Sequence, residues 1–186
     1  MNIVLTGSPG SGKGTLAKQL QSIYGYYLLI PGSLYRQQAN LKTDFGLKAK
    51  EYWKDGNLCP DEMTNELVLN TIKEVNNPNI IFDGYPRRLT QAKYLDSIAK
   101  IDLVLDLNIS DEISTKRLLG RRDKENRLDD TEEIIKQRLK VYHSNNDDII
   151  AYYLSDLTRY RTINAELSIE AVLQQVISIL NEIGHI

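Results

Sequence analysis

The chain opens with an apolar run, Ile3-Val4-Leu5-Thr6, that passes directly into Gly7-Ser8-Pro9-Gly10-Ser11-Gly12-Lys13-Gly14-Thr15. No other segment constrains the fold as strongly. Behind the loop, Leu16, Ala17, Leu20 and Ile23 recur at the spacing of one helix face. A buried strand, a glycine-rich turn and an amphipathic helix form a β–loop–α unit. The helix N-terminus presents backbone N–H groups that suit an anion. Glycines let the backbone curl around a polyphosphate, and Lys13 is placed to reach the outer phosphates. Gly14 follows the lysine, so the hydroxyl common at that position comes one place later, at Thr15. The plain alternative is a tight strand-to-helix turn with an incidental surface lysine; four closely spaced glycines between strand and helix disfavour it.

The same periodicity reading predicts strands over 2–6, 27–30, 79–83, 102–109 and 158–163. It predicts helices over 13–24, 33–40, 44–55, 61–75, 88–99, 111–121 and about 130–154. Pro31-Gly32 is read as the stop of the second strand, Gly56 as the end of a helix, and Pro60-Asp61 as the start of the next. The closing helix carries Ile169, Val172, Leu173, Val176, Ile177 and Leu180 on one stripe, read as plain core packing. Strands alternating with helices imply an α/β fold: a parallel sheet with helices on both faces, its ligand beyond the carboxyl ends of the strands.

A length of 186 residues suffices for one α/β domain with its own core. The net charge of −2 argues against a general nucleic-acid binder. Cys59 is the single cysteine, which excludes an internal disulfide and a cysteine-based zinc site and fits a reducing compartment. No basic segment with an apolar stretch precedes the first strand, and no apolar run is long enough to span a bilayer. A cytoplasmic location without membrane contact is expected.

Arginine is concentrated in this slightly acidic chain. Arg117, Arg121, Arg122, Arg127 and Arg138 lie close in sequence, and Arg36, Arg87 and Arg88 follow turn-forming residues elsewhere. One at a time, each reads as part of a solvated helix face; together they suit a small anionic ligand bound bidentately. Phosphoryl transfer depends on positioning and charge neutralisation, which such a cluster supplies. Asp83 ends the apolar run Ile80-Ile81-Phe82. A carboxylate there, facing a phosphate loop, suits Mg²⁺ held directly or through water; its plainer reading is a turn-starting aspartate before Gly84. His143 and His185 lie away from every motif, and no general base is evident.

Taken together, these residues resemble an adenylate kinase or, more broadly, a nucleoside monophosphate kinase. The phosphate loop matches the family's form, displaced hydroxyl included. So does Asp83-Gly84-Tyr85-Pro86-Arg87, with Gln91 four residues on. Gly56-Asn57-Leu58-Cys59-Pro60-Asp61 resembles the segment after the monophosphate-binding helices. Arg117-Leu118-Leu119-Gly120-Arg121, Arg127-Leu128-Asp129-Asp130 and Arg138 resemble the lid and its flanks. The motifs stand in family order through about residue 154.

The resemblance implies a P-loop three-layer αβα fold with a parallel five-stranded sheet. It implies one kinase domain over 1–186, with a helical monophosphate-binding insertion at 31–60 and a short lid at 121–129. The implied reaction is ATP + AMP = 2 ADP. A pyrimidine or other monophosphate kinase, or a non-catalytic nucleotide-binding module, are the alternatives. Gly10, Ser11, Gly12, Lys13, Gly14, Thr15, Arg117 and Arg121 would bind ATP. Pro31, Gly32, Arg36, Leu58, Gly84, Arg87, Gln91, Arg127 and Arg138 would bind AMP. Lys13, Arg87, Arg121, Arg127 and Arg138 would act on the transferring phosphoryl, and Asp83 would organise Mg²⁺ through water. A monomer is implied. The chain departs from the family at Pro31, where a threonine usually contacts the base. Arg88 replaces a small polar residue and is expected to add charge beside the monophosphate. Ile163-Asn164-Ala165-Glu166 lacks the glycine-containing turn beside the triphosphate's base.

Overall fold

The computed structural model describes residues 1–125 and 131–184, with side chains through Arg121 and again from Thr131. Five strands and eight helices are present among the described residues: β1 Ile3–Gly7, α1 Lys13–Tyr24, β2 Tyr27–Leu29, α2 Pro31–Asn40, α3 Asp44–Trp53, α4 Asp61–Glu74, β3 Ile80–Asp83, α5 Leu89–Ile98, β4 Leu103–Asn108, α6 Asp111–Glu125, α7 Glu132–Leu154, β5 Tyr160–Asn164 and α8 Ile169–Glu182. All strand pairs are parallel, in the order β2-β3-β1-β4-β5. This is the α/β class and the five-stranded parallel sheet expected above, with a P-loop after β1.

Alternation along the strands divides the core into two layers. Ile3, Leu5, Ile81 and Leu105 face Leu16 and Leu20 of α1 and Val176 and Leu180 of α8. Val4, Phe82 and Val104 face Val68, Leu95, Ile149 and Tyr153, from α4, α5 and α7. Because β1 is buried on both faces, it reads as an unbroken apolar run rather than an alternating one. Its neighbours β3 and β4 lead away in opposite directions, so the crevice at the carboxyl end of β1 lies at a topological switch point.

The excursion between β2 and β3 has a small core of its own. Tyr35, Ala49 and Cys59 are buried there, with Phe45, Trp53 and Leu67 packed around them. Helices α2 and α3 meet at backbone contact: a Cβ on Gly46 would lie 2.2 Å from the Ala39 nitrogen, so only glycine fits the crossing. The Thr43 hydroxyl caps α3 by accepting from the Gly46 N–H at 3.1 Å.

Three boundaries correct the sequence reading. Helix α2 starts at Pro31 itself, not at 33. The proline occupies the first helical position, where its missing N–H would have had no intrahelical partner. Helix α6 runs to Glu125, four residues beyond its expected end. Strand β5 begins at Tyr160, because Asp156 organises a turn by accepting from the Thr158 N–H at 3.1 Å. Ile169, expected on the buried stripe of α8, is 54 % exposed.

Candidate active site

The phosphate loop is fixed by what packs against it. At Gly7 a Cβ would lie 2.5 Å from the Leu107 carbonyl of β4, and at Gly10 it would lie 2.8 Å from the Ser114 carbonyl of α6. Both residues also have positive φ, so glycine is required by space and by backbone conformation together. The Ser114 hydroxyl, fully buried, donates to the Pro9 carbonyl and ties α6 to the loop.

Lys13 is folded over this loop. Its Nζ donates to the Gly7 carbonyl at 2.6 Å, the Ser8 carbonyl at 2.8 Å and Ser11 Oγ at 3.2 Å. Burial pulls its pKa down to about 8; the Asp83 and Asp106 carboxylates oppose that fall, while Arg87 and Arg121 add to it. Arg87, open to solvent, lies beside both the Asp83 carboxylate and the Arg138 guanidinium. Cations from three helices and the β3–α5 loop therefore line one cavity, an arrangement characteristic of anion sites.

Asp83 closes β3 beside the first turn of α1. A Cβ on Gly14 would lie 3.5 Å from its Oδ2, an ordinary contact distance, which sets the carboxylate against the residue after Lys13. Arg87 donates its Nε–H to the Gly84 carbonyl at 2.9 Å, and a side chain at Gly84 would meet the guanidinium at 2.9 Å. Arg36 donates to Ser33 Oγ at 3.3 Å from the first turns of α2. Arg117 donates to the carbonyls of Ala165 at 2.8 Å and Glu166 at 3.5 Å, joining α6 to the β5–α8 connection. Glu166 in turn accepts from the Ser110 N–H at 2.9 Å.

A cleft of about 1200 Å³ connects these groups. One arm passes Arg117, Ala165, Leu167 and Ile169; the other passes Pro31, Gly32, Arg36, Leu58 and Gln91. Lys13, Asp83, Arg87, Arg121 and Arg138 line it as well. The exposed Ile169 thus stands at the lining rather than in the core. Residues 126–129 of the expected 121–129 lid, Arg127 and Asp129 among them, lie outside the described residues, as do Asp130 and His185. His143 pairs with Asp111 at 2.8 Å, away from the cleft.

Arg88 corrects an expectation. Its Nη1 lies 2.7 Å from Asp61 Oδ1 and 3.3 Å from the Cys59 carbonyl, so its charge is neutralised within the scaffold rather than added beside the cleft. Gln91 is 2 % exposed and hydrogen-bonded at both ends of its amide, to Asp61 and to the Arg87 backbone.

Two acidic residues escaped the sequence reading. In the sequence Asp61 marks a helix start and closes the Gly56-to-Asp61 segment, with no role of its own. Asp106 lies in the apolar run of β4, 7 % exposed, and burial raises its pKa against the opposing effects of Tyr160 and Lys13. The signal for Asp106 was a charge inside an otherwise apolar strand.

Among the described residues no group of three His, Cys, Asp or Glu side chains could hold a metal, and no helix is long and apolar enough to cross a membrane. A lone carboxylate facing a phosphate loop fits Mg²⁺ that arrives on a nucleotide, keeps its water and takes its other ligands from phosphate.

Comparison with known proteins agrees with this geometry. The sequence profile described as adenylate kinase matches residues 5–157. An adenylate kinase of Mycolicibacterium smegmatis is 38 % identical over 98 % of this chain and 100 % of its own length. One from Pseudarthrobacter chlorophenolicus is 36 % identical over 81 % of this chain and 82 % of its own. One from Thermosipho melanesiensis is 30 % identical over 97 % of this chain and 99 % of its own. With its phosphate loop, its converging cations and these relatives, the chain belongs to the adenylate kinase family of nucleotide-binding phosphotransferases.

Proposed function

We propose that this chain transfers the terminal phosphoryl group of Mg·ATP to AMP, giving two ADP. The observation that carries the reading is the single cleft in which Lys13, Arg87, Arg121 and Arg138 lie between two arms, one at Arg117 and Ala165 and one at Arg36 and Gln91. Two nucleotides laid end to end have their phosphates where the cations converge.

In this reading Lys13 leaves the carbonyls of Gly7 and Ser8 for the outer phosphates, while the amides of Gly10, Ser11, Gly12, Gly14 and Thr15 receive the rest of the chain. Arg117 lies against the triphosphate. Arg36 and Arg87 grip the monophosphate. A monophosphate oxygen attacks the γ-phosphorus as the bond to the β–γ bridging oxygen breaks, and Arg121, Arg127 and Arg138 spread the charge. The attacking oxygen needs no general base, since a phosphate monoester has already lost its second proton near pH 6. Mg²⁺ carried by the triphosphate substrate would offset its charge, and Asp83 is the residue that would hold it through water. Residues 31–60 and 121–129 close over the substrates and exclude water. Every group invoked comes from one chain, which supports a monomer, and one cysteine supports a reducing cytoplasm.

Pro31 supports a second reading, a pyrimidine monophosphate kinase. It is buried at the lining of the monophosphate arm and offers no hydroxyl to a base. A non-catalytic nucleotide-binding module is disfavoured by the converging arginines, which simple retention of one nucleotide does not require.

A bisubstrate mimic with two adenosines joined by five phosphates tests the reading through hydrogen exchange. Protection is expected at both 7–15 and 31–60. Protection confined to 7–15 would overturn the kinase reading in favour of the binding module.

A further inference from the structure

We propose that Asp61 sets the base preference of the monophosphate arm by locking the Gln91 amide in one of its two orientations. This rests on the reading that Gln91 faces the base.

Gln91 Oε1 accepts from the Arg87 backbone N–H at 2.7 Å, and its Nε2 donates to Asp61 Oδ1 at 2.8 Å. Each partner permits one role only: a backbone N–H donates and an ionised carboxylate accepts. Flipping the amide would set oxygen against carboxylate and NH₂ against N–H, two repulsive contacts in a buried place. The orientation is therefore dictated twice over.

Asp61 is itself held. Its Oδ1 also accepts from Arg88 Nη1 at 2.7 Å, and its Oδ2 accepts from the Thr90 hydroxyl. It is the first residue of α4, where the helix N-terminus favours an anion. Burial pushes its carboxyl up, but the hydrogen bonds from Thr90, Arg88 and Gln91 hold it below the usual range. It stays an acceptor at neutral pH.

The unspent capacity of Gln91 is one N–H and one lone pair, in fixed order. That order matches a base edge with a ring acceptor beside an exocyclic amino group, as in adenine (N1, N6) and cytosine (N3, N4). Guanine and uracil present a ring N–H beside a carbonyl, the reverse order, and meet donor with donor and acceptor with acceptor. A buried site that leaves polar groups so mismatched rejects strongly. Asp61 thus separates amino bases from oxo bases, while the size of the arm separates adenine from cytosine. It is a positioning residue acting through Gln91.

The test measures kcat/KM with Mg·ATP and AMP, CMP, GMP or UMP for the full chain and its variants. Asp61→Asn keeps the size but can donate or accept, so it removes one of the two constraints and leaves only the Arg87 N–H to set the Gln91 orientation. The AMP:GMP ratio is expected to fall at least tenfold, with the AMP:CMP ratio within about threefold of wild type. Should Asp61→Asn not fold, Asp61→Ser, equally able to donate or accept and suited to a helix start, must give the same fall. Arg88→Met breaks the ion pair but keeps the Asp61–Gln91 bond, and should leave both ratios within twofold. An unchanged AMP:GMP ratio in a folded Asp61 variant, or an equal fall in Arg88→Met, overturns the proposal. Gln91→Leu separates the levels: a raised KM for AMP keeps the base-site reading even if Asp61 fails, and an unchanged KM overturns both.

Discussion

Tyr160 of β5 donates its hydroxyl to Asp106 Oδ2 of β4 at 2.7 Å, while Oδ1 of the same carboxylate is buried without a hydrogen-bond partner among the described residues. The two residues are diagonal neighbours on one sheet face, since Val104 pairs with Tyr160 and Asp106 with Thr162. Their place beneath the phosphate loop explains why a buried acid is kept there: its charge supports that of Lys13.

Removing the donor alone should therefore be costly. Tyr160→Phe is expected to destabilise the fold by about 1–3 kcal/mol in urea unfolding, because it leaves a buried acceptor unsatisfied. Adding Asp106→Leu in the same chain should recover most of that loss.

The pH dependence follows from Lys13. Burial sets its pKa at about 8 in the free protein, and phosphate binding requires the charged form. The charged form is lost as pH rises, so kcat/KM for Mg·ATP should decline above about pH 8, since this parameter reports the free enzyme. Asp106→Asn removes a charge that holds this pKa up, so its basic limb should move to lower pH. A limb that stays in place in that variant would show that Asp106 does not act on Lys13.

Lys13→Met should lower kcat/KM by about 10²–10³-fold, the scale of losing one preorganised charge-stabilising donor. Cooperative unfolding should persist, because the lysine serves the loop and not either core layer. Stopped-flow transfer assays and thermal unfolding on the same sample check both halves.

Much of this was legible in the sequence because its signals are local. The strand–loop–helix at 3–24 is one contiguous pattern, and the stripe through Val172, Val176 and Leu180 repeats within one helix. What failed depended on distant partners. The Asp61–Gln91 bond spans 30 residues and the Asp106–Tyr160 bond spans 54, and neither spacing marks the pair. Arg88 reads as spare charge in the sequence because its partner, Asp61, lies 27 residues away. Pro31 read as a break because the same residue ends a strand and starts a helix; only the backbone decides between them. Arg127, placed by resemblance alone, lies outside the described residues.

Pro31 also yields a kinetic expectation. Pro31→Thr restores a hydroxyl at the monophosphate arm, a contact of about 0.5–1.5 kcal/mol, so KM for AMP should fall roughly three- to tenfold. KM for ATP should stay nearly unchanged, since that nucleotide occupies the other arm. If the variant leaves AMP unaffected while the wild type turns over CMP or UMP well, the pyrimidine reading replaces the adenylate one.

The central claim is transfer from Mg·ATP to AMP in one cleft, and a coupled assay measures it directly. With Mg·ATP and AMP, CMP, GMP or UMP supplied in turn, the account predicts fastest turnover with AMP, with two ADP formed for each AMP consumed. No phosphoryl transfer to AMP, in a protein shown to bind ATP, would contradict it.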